Sequence, residues 1–485
     1  MIDMIVEASK AVEDEPDAGD QAQTPAGLLD ALPMDYGFFY WGLNQCQPGE
    51  FSEALADAFM DYGIQFDPSS SGPGSSRDDS IMATIASILA ELDSFYASLE
   101  SRNRLPSGEY HFDVATAHEV LTPANMRTHI AAYFRFTNPY YPTVHRPTFE
   151  IETAPPVLLI ALFLCGSLYR GDKDRDYRGL YNLAEEYAFT KLGMAVERHA
   201  AHGAVAAKDA VAVLQAATLI HSLQWIINCA SSRRRNWDLR LPALVAAVRS
   251  LGYTRLRHAE QNREGYLDWE KFIQLETCIR TGIHVVQSDW LQAGMYHSPH
   301  HTTIYELTGD IPCIRSLWEA SDAAEFQSIV QSKGVEILHR PYSVRSCVED
   351  LMRENFSVSH LVSFRRLTIA DLGLILLALF AVVSSARFSC TLRALAPTAM
   401  RATCRWQDFW KAAVSKVDEG ELEFSGLAKY SAEMCWLARK NIELAVTGKE
   451  DLGYLRDVAH ESLEEVHTLI RELQREEGET SSERG

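Results

Sequence analysis

The sequence lacks the cysteine spacings of metal sites and of disulfide frameworks. Its nine cysteines are scattered between Cys46 and Cys435, and no two of them form a Cys-x-x-Cys pair. Small secreted domains usually carry dense, paired cysteines, whereas scattered thiols suit a reducing compartment. The cysteines therefore predict free, mostly buried thiols in an intracellular protein.

Secretory and membrane signals are also missing. The first residues have neither the basic segment nor the apolar core of a signal peptide. The two longest apolar runs, residues 155–169 and 372–386, are shorter than the roughly 18–20 residues that span a bilayer. Each run is interpreted as a helix buried on all sides, and no membrane partner is expected.

Catalytic motifs are absent as well. There is no phosphate-binding Walker loop, no Gly-x-Ser-x-Gly elbow and no protein-kinase set. His297, His300 and His301, with Cys313 twelve residues on, are a weak candidate for a metal site, and a solvated loop is the favoured alternative. The sequence therefore predicts no enzyme, no catalytic residues and no bound cofactor or metal.

Basic residues are in short supply. Lys and Arg number 45 against 66 Asp and Glu, which gives a net charge of −21. This balance opposes direct binding of the chain to nucleic-acid phosphates. The one dense basic patch is Arg233, Arg234 and Arg235, which suits nuclear import or phosphate contact, or is only a solvated face.

Acidic residues instead dominate the N-terminal part. Residues 1–70 contain fourteen Asp or Glu and a single basic residue, Lys10. Within them, residues 32–44 and 53–67 combine acids with aromatic rings, a composition typical of disordered transcriptional activation segments. A merely disordered acidic tail is the alternative. We predict a disordered acidic arm over 1–78, including a flexible linker at 67–76.

Beyond this arm the pattern is helical. Apolar residues from Ile81 to Leu99 recur at steps of three and four, and Thr122-Pro123 has the cap and first-turn proline of a helix start. Alternating β-branched runs are absent, so the fold class is predicted to be all-α. The predicted divisions are a helix and connector at 79–120, a helical regulatory domain at 121–445, an amphipathic C-terminal helix at 446–475 and a disordered tail at 476–485.

Residues 133–149, YFRFTNPYYPTVHRPTF, are dense in aromatic residues and contain three prolines. Proline fixes φ and disfavours helix at the preceding residue, so the chain has to turn repeatedly here. A buried corner is favoured over an active site built around His145 and Arg146. Both side chains are expected to donate to backbone carbonyls that the bends leave free.

The same stretch carries a resemblance to a known family. Residues 121–149 resemble the opening signature of the fungal-specific transcription factor domain, or middle homology region, in which a helix ending in Tyr-Phe leads through prolines to His-x-Pro-x-Phe. The matching residues are Tyr133, Phe134, Pro139, Pro142, His145, Pro147 and Phe149.

Three further blocks resemble this family in the same order, at residues 155–169, 212–253 and 268–320. The matching positions of the last block are Trp269, Glu276, Arg280, Asp289, Pro312, Cys313 and Trp318. Glu276 and Arg280 stand four residues apart on a predicted helix, which favours a structural ion pair over an acid–base couple.

The resemblance implies a multi-helix regulatory domain in a nuclear, pathway-specific transcriptional regulator, for example of a biosynthetic or metabolic gene cluster. Implied partners are the transcription machinery or a DNA-bound protein, and a homodimer or heterodimer is possible. The family's zinc-cluster spacing is not found, so zinc is expected only if a DNA-binding module is missing from this gene model. A helical module that binds a small-molecule effector is the alternative function; an enzyme on a helical scaffold is disfavoured.

Overall fold

The fold was analysed in a computed structural model of the chain. It describes residues 75–102, 112–169, 177–202, 207–227, 230–258, 268–338, 342–418, 422, 425–449, 453–458 and 464–482. Most of the predicted acidic arm, residues 1–74, lies outside these ranges. Within them the chain forms helices and no strand, which confirms the predicted all-α class.

The helices are numbered in chain order. They are α1 (Ser75–Ser101), α2 (Val114–Val120), α3 (Pro123–Ala132), α4 (Pro156–Ser167), α5 (Arg178–His202), α6 (Ala207–Ile227), α7 (Ala230–Arg235), α8 (Leu241–Leu251), α9 (Trp269–Met295), α10 (Arg315–Trp318), α11 (Ala323–Lys333), α12 (Val344–Met352), α13 (Val358–Phe364), α14 (Ile369–Phe388), α15 (Leu392–Val414), α16 (Ser431–Thr447), α17 (Gly453–Arg456) and α18 (Glu464–Ser482). Two π-helical turns continue α3 and α7, at Tyr133–Thr137 and Asn236–Arg240.

Helix starts follow the local capping chemistry. The Thr122 side chain accepts a hydrogen bond from the Asn125 backbone N–H, and Pro123 occupies the first turn of α3, as the sequence predicts. In α1 the predicted stripe is confirmed, since Ile81, Ile85 and Leu92 are buried. The helix begins at Ser75, however, four residues before the predicted start at residue 79, so it includes part of the predicted linker.

The C-terminal boundaries differ from the prediction. Helix α18 begins at Glu464 and continues to Ser482, so the disordered tail predicted from residue 476 starts too early. Glu and Arg have high helix propensity, and they let the helix run past the buried stripe. That stripe packs onto the body of the protein through Val466, Leu469, Ile470 and Leu473.

Both apolar runs form core helices. Every residue of α4 after Pro156 is buried. Helix α14 has 20 residues and is long and apolar enough to cross a membrane by length and composition alone, so the expectation that run 372–386 is too short does not hold for it. Yet 72% of its most apolar window is buried inside the protein. Helix α1 passes the same test of length and composition, with 28% of its window buried.

The helices pack around two large apolar clusters. The first joins α1, α4, α5, α6 and α8, and the second joins α12, α14 and α15. The long helix α9 lies between them: it packs against α6 and α8 on one side and against α14 on the other. Residues Val285 and Val286 of α9 are fully buried in the first and second cluster respectively. Side chains on α9 are therefore placed to connect the two halves of the fold.

Candidate functional site

The stretch at 133–149 is a buried corner in the described structure. Tyr133 is fully buried in the first apolar cluster, whereas Tyr141 stacks on the His284 ring of α9, with the ring centres 3.8 Å apart. The Gln215 side chain of α6 donates to the carbonyl oxygen of Thr143 at 2.7 Å. A side chain from a neighbouring helix thus satisfies one backbone group left over by the bends.

The remaining signature residues of this stretch complete the corner. Phe134 lies edge-to-face against Tyr133 and Phe149, with ring centres 5.2 Å apart in both pairs. The Nδ1 atom of His145 lies 2.8 Å from Thr148 Oγ1. Arg146, which was expected to bond inside the corner, is exposed.

Glu276 of α9 is the centre of a buried polar cluster. Its Oε1 atom accepts from Arg280 Nε at 2.6 Å and from the Cys313 backbone N–H at 2.8 Å. Its Oε2 atom lies 2.8 Å from His258 Nε2. Glu276 is fully buried and Arg280 is only 8% exposed. The pair is therefore the structural ion pair that the sequence predicts, with His258 as a third member.

Arg280 also contacts Trp318, another of the signature residues. It donates to the carbonyl oxygen of Cys313 at 2.9 Å, and its guanidinium lies over the Trp318 ring, 4.6 Å from the ring centre. The other neighbour of Trp318 is His145, at 4.8 Å between ring centres, and Trp269 lies 6.1 Å from the same histidine. The first and last signature blocks, far apart in sequence, meet here. We call Glu276, Arg280, His258, Cys313, Trp318 and His145 the signature cluster.

The electrostatics of the signature cluster favour a fixed ion pair. Burial acts to raise the pKa of Glu276, but Arg280, His258 and the Cys313 N–H together lower it to about 2. Burial, aided by the nearby Arg280 charge and opposed by the Trp318 carbonyl, lowers the pKa of His145 to about 4. Burial raises the pKa of the Cys313 thiol well above its usual value. At neutral pH the carboxylate is ionised and fully bonded, so the arrangement joins chain segments and offers no general base.

Asp289, a further signature residue of α9, bonds the loop at residues 297–302, which contains His297, His300 and His301. Its carboxylate accepts from the backbone N–H groups of His301 and Thr302 at 2.9 and 2.7 Å. His297 bonds the carbonyl oxygen of Asp457 at 2.7 Å, whereas His300 bonds that of Ala381 at 3.0 Å. The prediction of a solvated loop is wrong, because the loop is tied into the fold at several points.

Among the described residues no group of three or more His, Cys, Asp or Glu side chains is arranged to hold a metal ion. The three histidines of this loop point to different partners. This geometry does not support the weak metal-site candidate.

The basic patch at 233–235 is partly used inside the protein. Arg235 donates from Nε and Nη2 to the fully buried carboxylate of Glu185, at 2.6 and 2.7 Å, and Arg240 Nε donates to the same carboxylate at 2.6 Å. The π-helical turn at Asn236–Arg240 widens the helix between these two arginines. Arg235 is only 16% exposed and does not belong to an accessible basic surface, whereas Arg234 is exposed. A buried acid fifty residues away cannot be read from a run of three arginines.

Sequence reasoning missed a second buried polar group. His221 of α6 lies 3.2 Å from the Gln292 side chain of α9, and His284 lies 3.2 Å from Ser222 Oγ. Burial lowers the pKa of His221 to about 4 and that of His284 to about 3. His221 and His284 are single histidines on apolar helices, and His258 is a single histidine in the connection before α9. A single histidine has no characteristic spacing to other polar residues, so the sequence did not indicate these three.

Comparison with known proteins agrees with this architecture. Residues 130–365 match the family model described as the fungal specific transcription factor domain. This segment contains the corner, the signature cluster and α9.

The chain is also similar to a named protein. The chain is 24% identical over 314 residues to a protein named transcription factor verF of Penicillium polonicum. The alignment covers 62% of this chain and 42% of the relative, so the chain spans less than half of the relative's length. No solved structure matches. Both the family and the relative are named as transcription factors and neither is named as an enzyme.

Proposed function

We propose that the protein is a transcriptional regulator that acts in the nucleus on a specific set of genes, such as one biosynthetic or metabolic cluster. The observation that carries this proposal is the signature cluster: residues from separate sequence blocks of a family-matching segment meet through direct bonds around Glu276. The similarity to a named transcription factor points the same way.

In this proposal the helical domain regulates and does not itself read DNA. The net charge of −21 opposes phosphate contact, and Arg235 is committed to Glu185. The domain therefore acts through the transcription machinery or a DNA-bound partner. We also propose that it acts as a homodimer or heterodimer. In this proposal zinc enters only with a separate DNA-binding module, because the sequence does not contain the cysteine spacing of a zinc cluster.

The test is a gene deletion followed by measurement of all transcripts. We expect a limited set of genes to change and to be restored by the wild-type protein carrying a fluorescent tag, which is found in the nucleus. Complementation with Glu276→Gln is expected to fail, whereas Glu319→Gln, in the exposed pair with Arg315, restores expression. A deletion that leaves every transcript unchanged would count against the proposal.

A further inference from the structure

Helix α13 presents an unusual surface to solvent. Val358 is 76% exposed and Val362 is 49% exposed, although the same helix buries Phe364. Arg365 and Arg366, at the C-terminal end of α13, are also exposed. Positions 358, 362 and 365 lie on one face of a helix. We call Val358, Val362, Arg365 and Arg366 the α13 surface.

Packed aromatic rings support the α13 surface on its buried side. Phe364 stacks on Phe409 of α15 with ring centres 5.0 Å apart, and Phe356 contacts both rings. Arg405 of α15 lies over Phe356 and donates to the carbonyl oxygens of Leu351 and Glu354, at 2.9 and 3.0 Å. The exposed valines are therefore held in place by packed rings and do not belong to a loose segment.

The charge of this region is opposite to that of the whole chain. Arg365 and Arg366 have no carboxylate partner among the described residues, and the partners of Arg405 are neutral carbonyl groups. Asp350 of α12 lies 3.6 Å from His360 of α13, whereas the two exposed arginines are positive charges in a chain whose net charge is −21. Two exposed valines next to two exposed arginines suit a ligand that combines apolar side chains with carboxylates.

The chain itself contains a segment of that chemistry. Residues 53–67, EALADAFMDYGIQFD, carry Glu53, Asp57, Asp61 and Asp67, no basic residue, and apolar and aromatic side chains between the acids. From Asp61 to Ser75, where α1 begins, the chain reaches up to about 50 Å at 3.3–3.6 Å per residue.

We propose that residues 53–67 bind the α13 surface of the same chain. The carboxylates lie against Arg365 and Arg366, and the rings and aliphatic side chains of the segment cover Val358 and Val362. A duplex-DNA ligand fits less well, because it would leave the two valines in contact with phosphates. The contact does not depend on the proposed transcriptional role and is measurable with the protein alone.

The test is hydrogen exchange of the full chain. A tethered segment has an effective concentration of about 1 mM. If it binds α13 with a dissociation constant of about 0.25 mM, the amides of α13 exchange about fivefold more slowly than they do when the segment is unbound. Neutralising the segment with Glu53→Gln, Asp57→Asn, Asp61→Asn and Asp67→Asn is expected to remove this protection, while the core helix α14 exchanges as before. A matched control, Glu13→Gln, Asp14→Asn, Glu15→Gln and Asp17→Asn, removes the same charge elsewhere in the arm and leaves α13 protected.

The reciprocal variant changes the surface. Arg365→Glu with Arg366→Glu is expected to speed exchange within residues 53–67, and the control Arg255→Glu with Arg315→Glu is not. Unchanged exchange in both partners overturns the proposal. Protection that is lost on dilution assigns the contact to a second copy, and protection that needs added duplex DNA assigns the surface to phosphate. Either result also overturns binding within one chain.

Discussion

At the scale of single residues, the signature cluster depends on the buried charges of Glu276 and Arg280. Glu276 and Arg280 balance each other while Cys313 and His258 use the remaining hydrogen-bonding capacity of the carboxylate. Removing one partner of a buried ion pair leaves the other charge uncompensated, which costs far more than the net contribution of the pair.

We therefore expect Glu276→Gln to lower the free energy of unfolding by about 3 kcal/mol, because the side chain keeps its shape but leaves the buried Arg280 charge unbalanced. Urea denaturation measures this change. The control is Glu319→Gln, which breaks a pair whose side chains are 65% and 54% exposed and is expected to have no measurable effect. Equal effects of the two variants would contradict a special role for the buried pair.

The buried histidines predict an acid-sensitive fold. Burial lowers the pKa of His221 to about 4 and that of His284 to about 3; Glu185 acts to raise the first, Arg240 to lower it, and His221 itself to lower the second. In the unfolded chain both histidines bind protons below about pH 6.5, so the unfolded state takes up more protons than the folded state. The stability that these residues contribute is present above pH 6.5 and is lost as the pH falls towards 4.

Unfolding free energies measured between pH 7 and 5 check this expectation. The slope approaches about 1.4 kcal/mol per pH unit for each such histidine once the pH is well below 6.5. The double variant His221→Gln with His284→Gln is expected to reduce this slope and to leave the part that His145 contributes, because burial lowers the pKa of His145 to about 4 as well. A profile of the wild-type protein that is flat over this range would contradict the assignment of neutral buried histidines.

At the scale of helices, α3 and α4 cross so closely that a methyl group has no room. A Cβ atom on Gly166 of α4 would collide with the carbonyl oxygen of His129 in α3, and backbone cannot move aside as a side chain does. We expect Gly166→Ala to lower the free energy of unfolding by at least about 3 kcal/mol.

The matched control is Gly193→Ala, which lies in helix α5 with nothing within 4 Å of the added Cβ. Alanine there is expected to raise stability by about 0.5–1 kcal/mol, because glycine lowers helix propensity. Thermal unfolding of both variants gives the comparison. Similar stability of the two proteins would mean that α3 and α4 do not cross at the described distance.

At the scale of the whole molecule, the charge distribution predicts weak binding to DNA. Acids outnumber bases 66 to 45, and one arginine of the densest basic run is bound to Glu185. We expect this chain to bind duplex DNA without sequence preference, with a dissociation constant of about 10⁻⁴ M or weaker. Gel-shift titration of the purified protein with a candidate promoter and a scrambled duplex measures this. A selective nanomolar complex would show that the helical domain reads DNA.

The sequence by itself determined the local features of this protein. The all-α class, the cap at Thr122 and the buried stripe of α1 follow from periodicity and capping, which involve residues only a few positions apart. The Glu276–Arg280 pair is also local, since four residues are one helical turn. Helix boundaries were less certain, because α1 and α18 extend into polar residues that carry no burial pattern.

Only the tertiary structure decided which distant residues meet. His258 and the Cys313 N–H reach Glu276 across 18 and 37 positions, and Arg235 reaches Glu185 across 50. A run of three arginines has the same sequence whether it faces solvent or a buried acid, and the HSPHH loop has the same letters whether it is solvated or bonded. Whether these residues face solvent or form buried bonds depends on which helices pack together. A buried charge without a partner is so costly that such side chains are buried only where the packing brings a partner close.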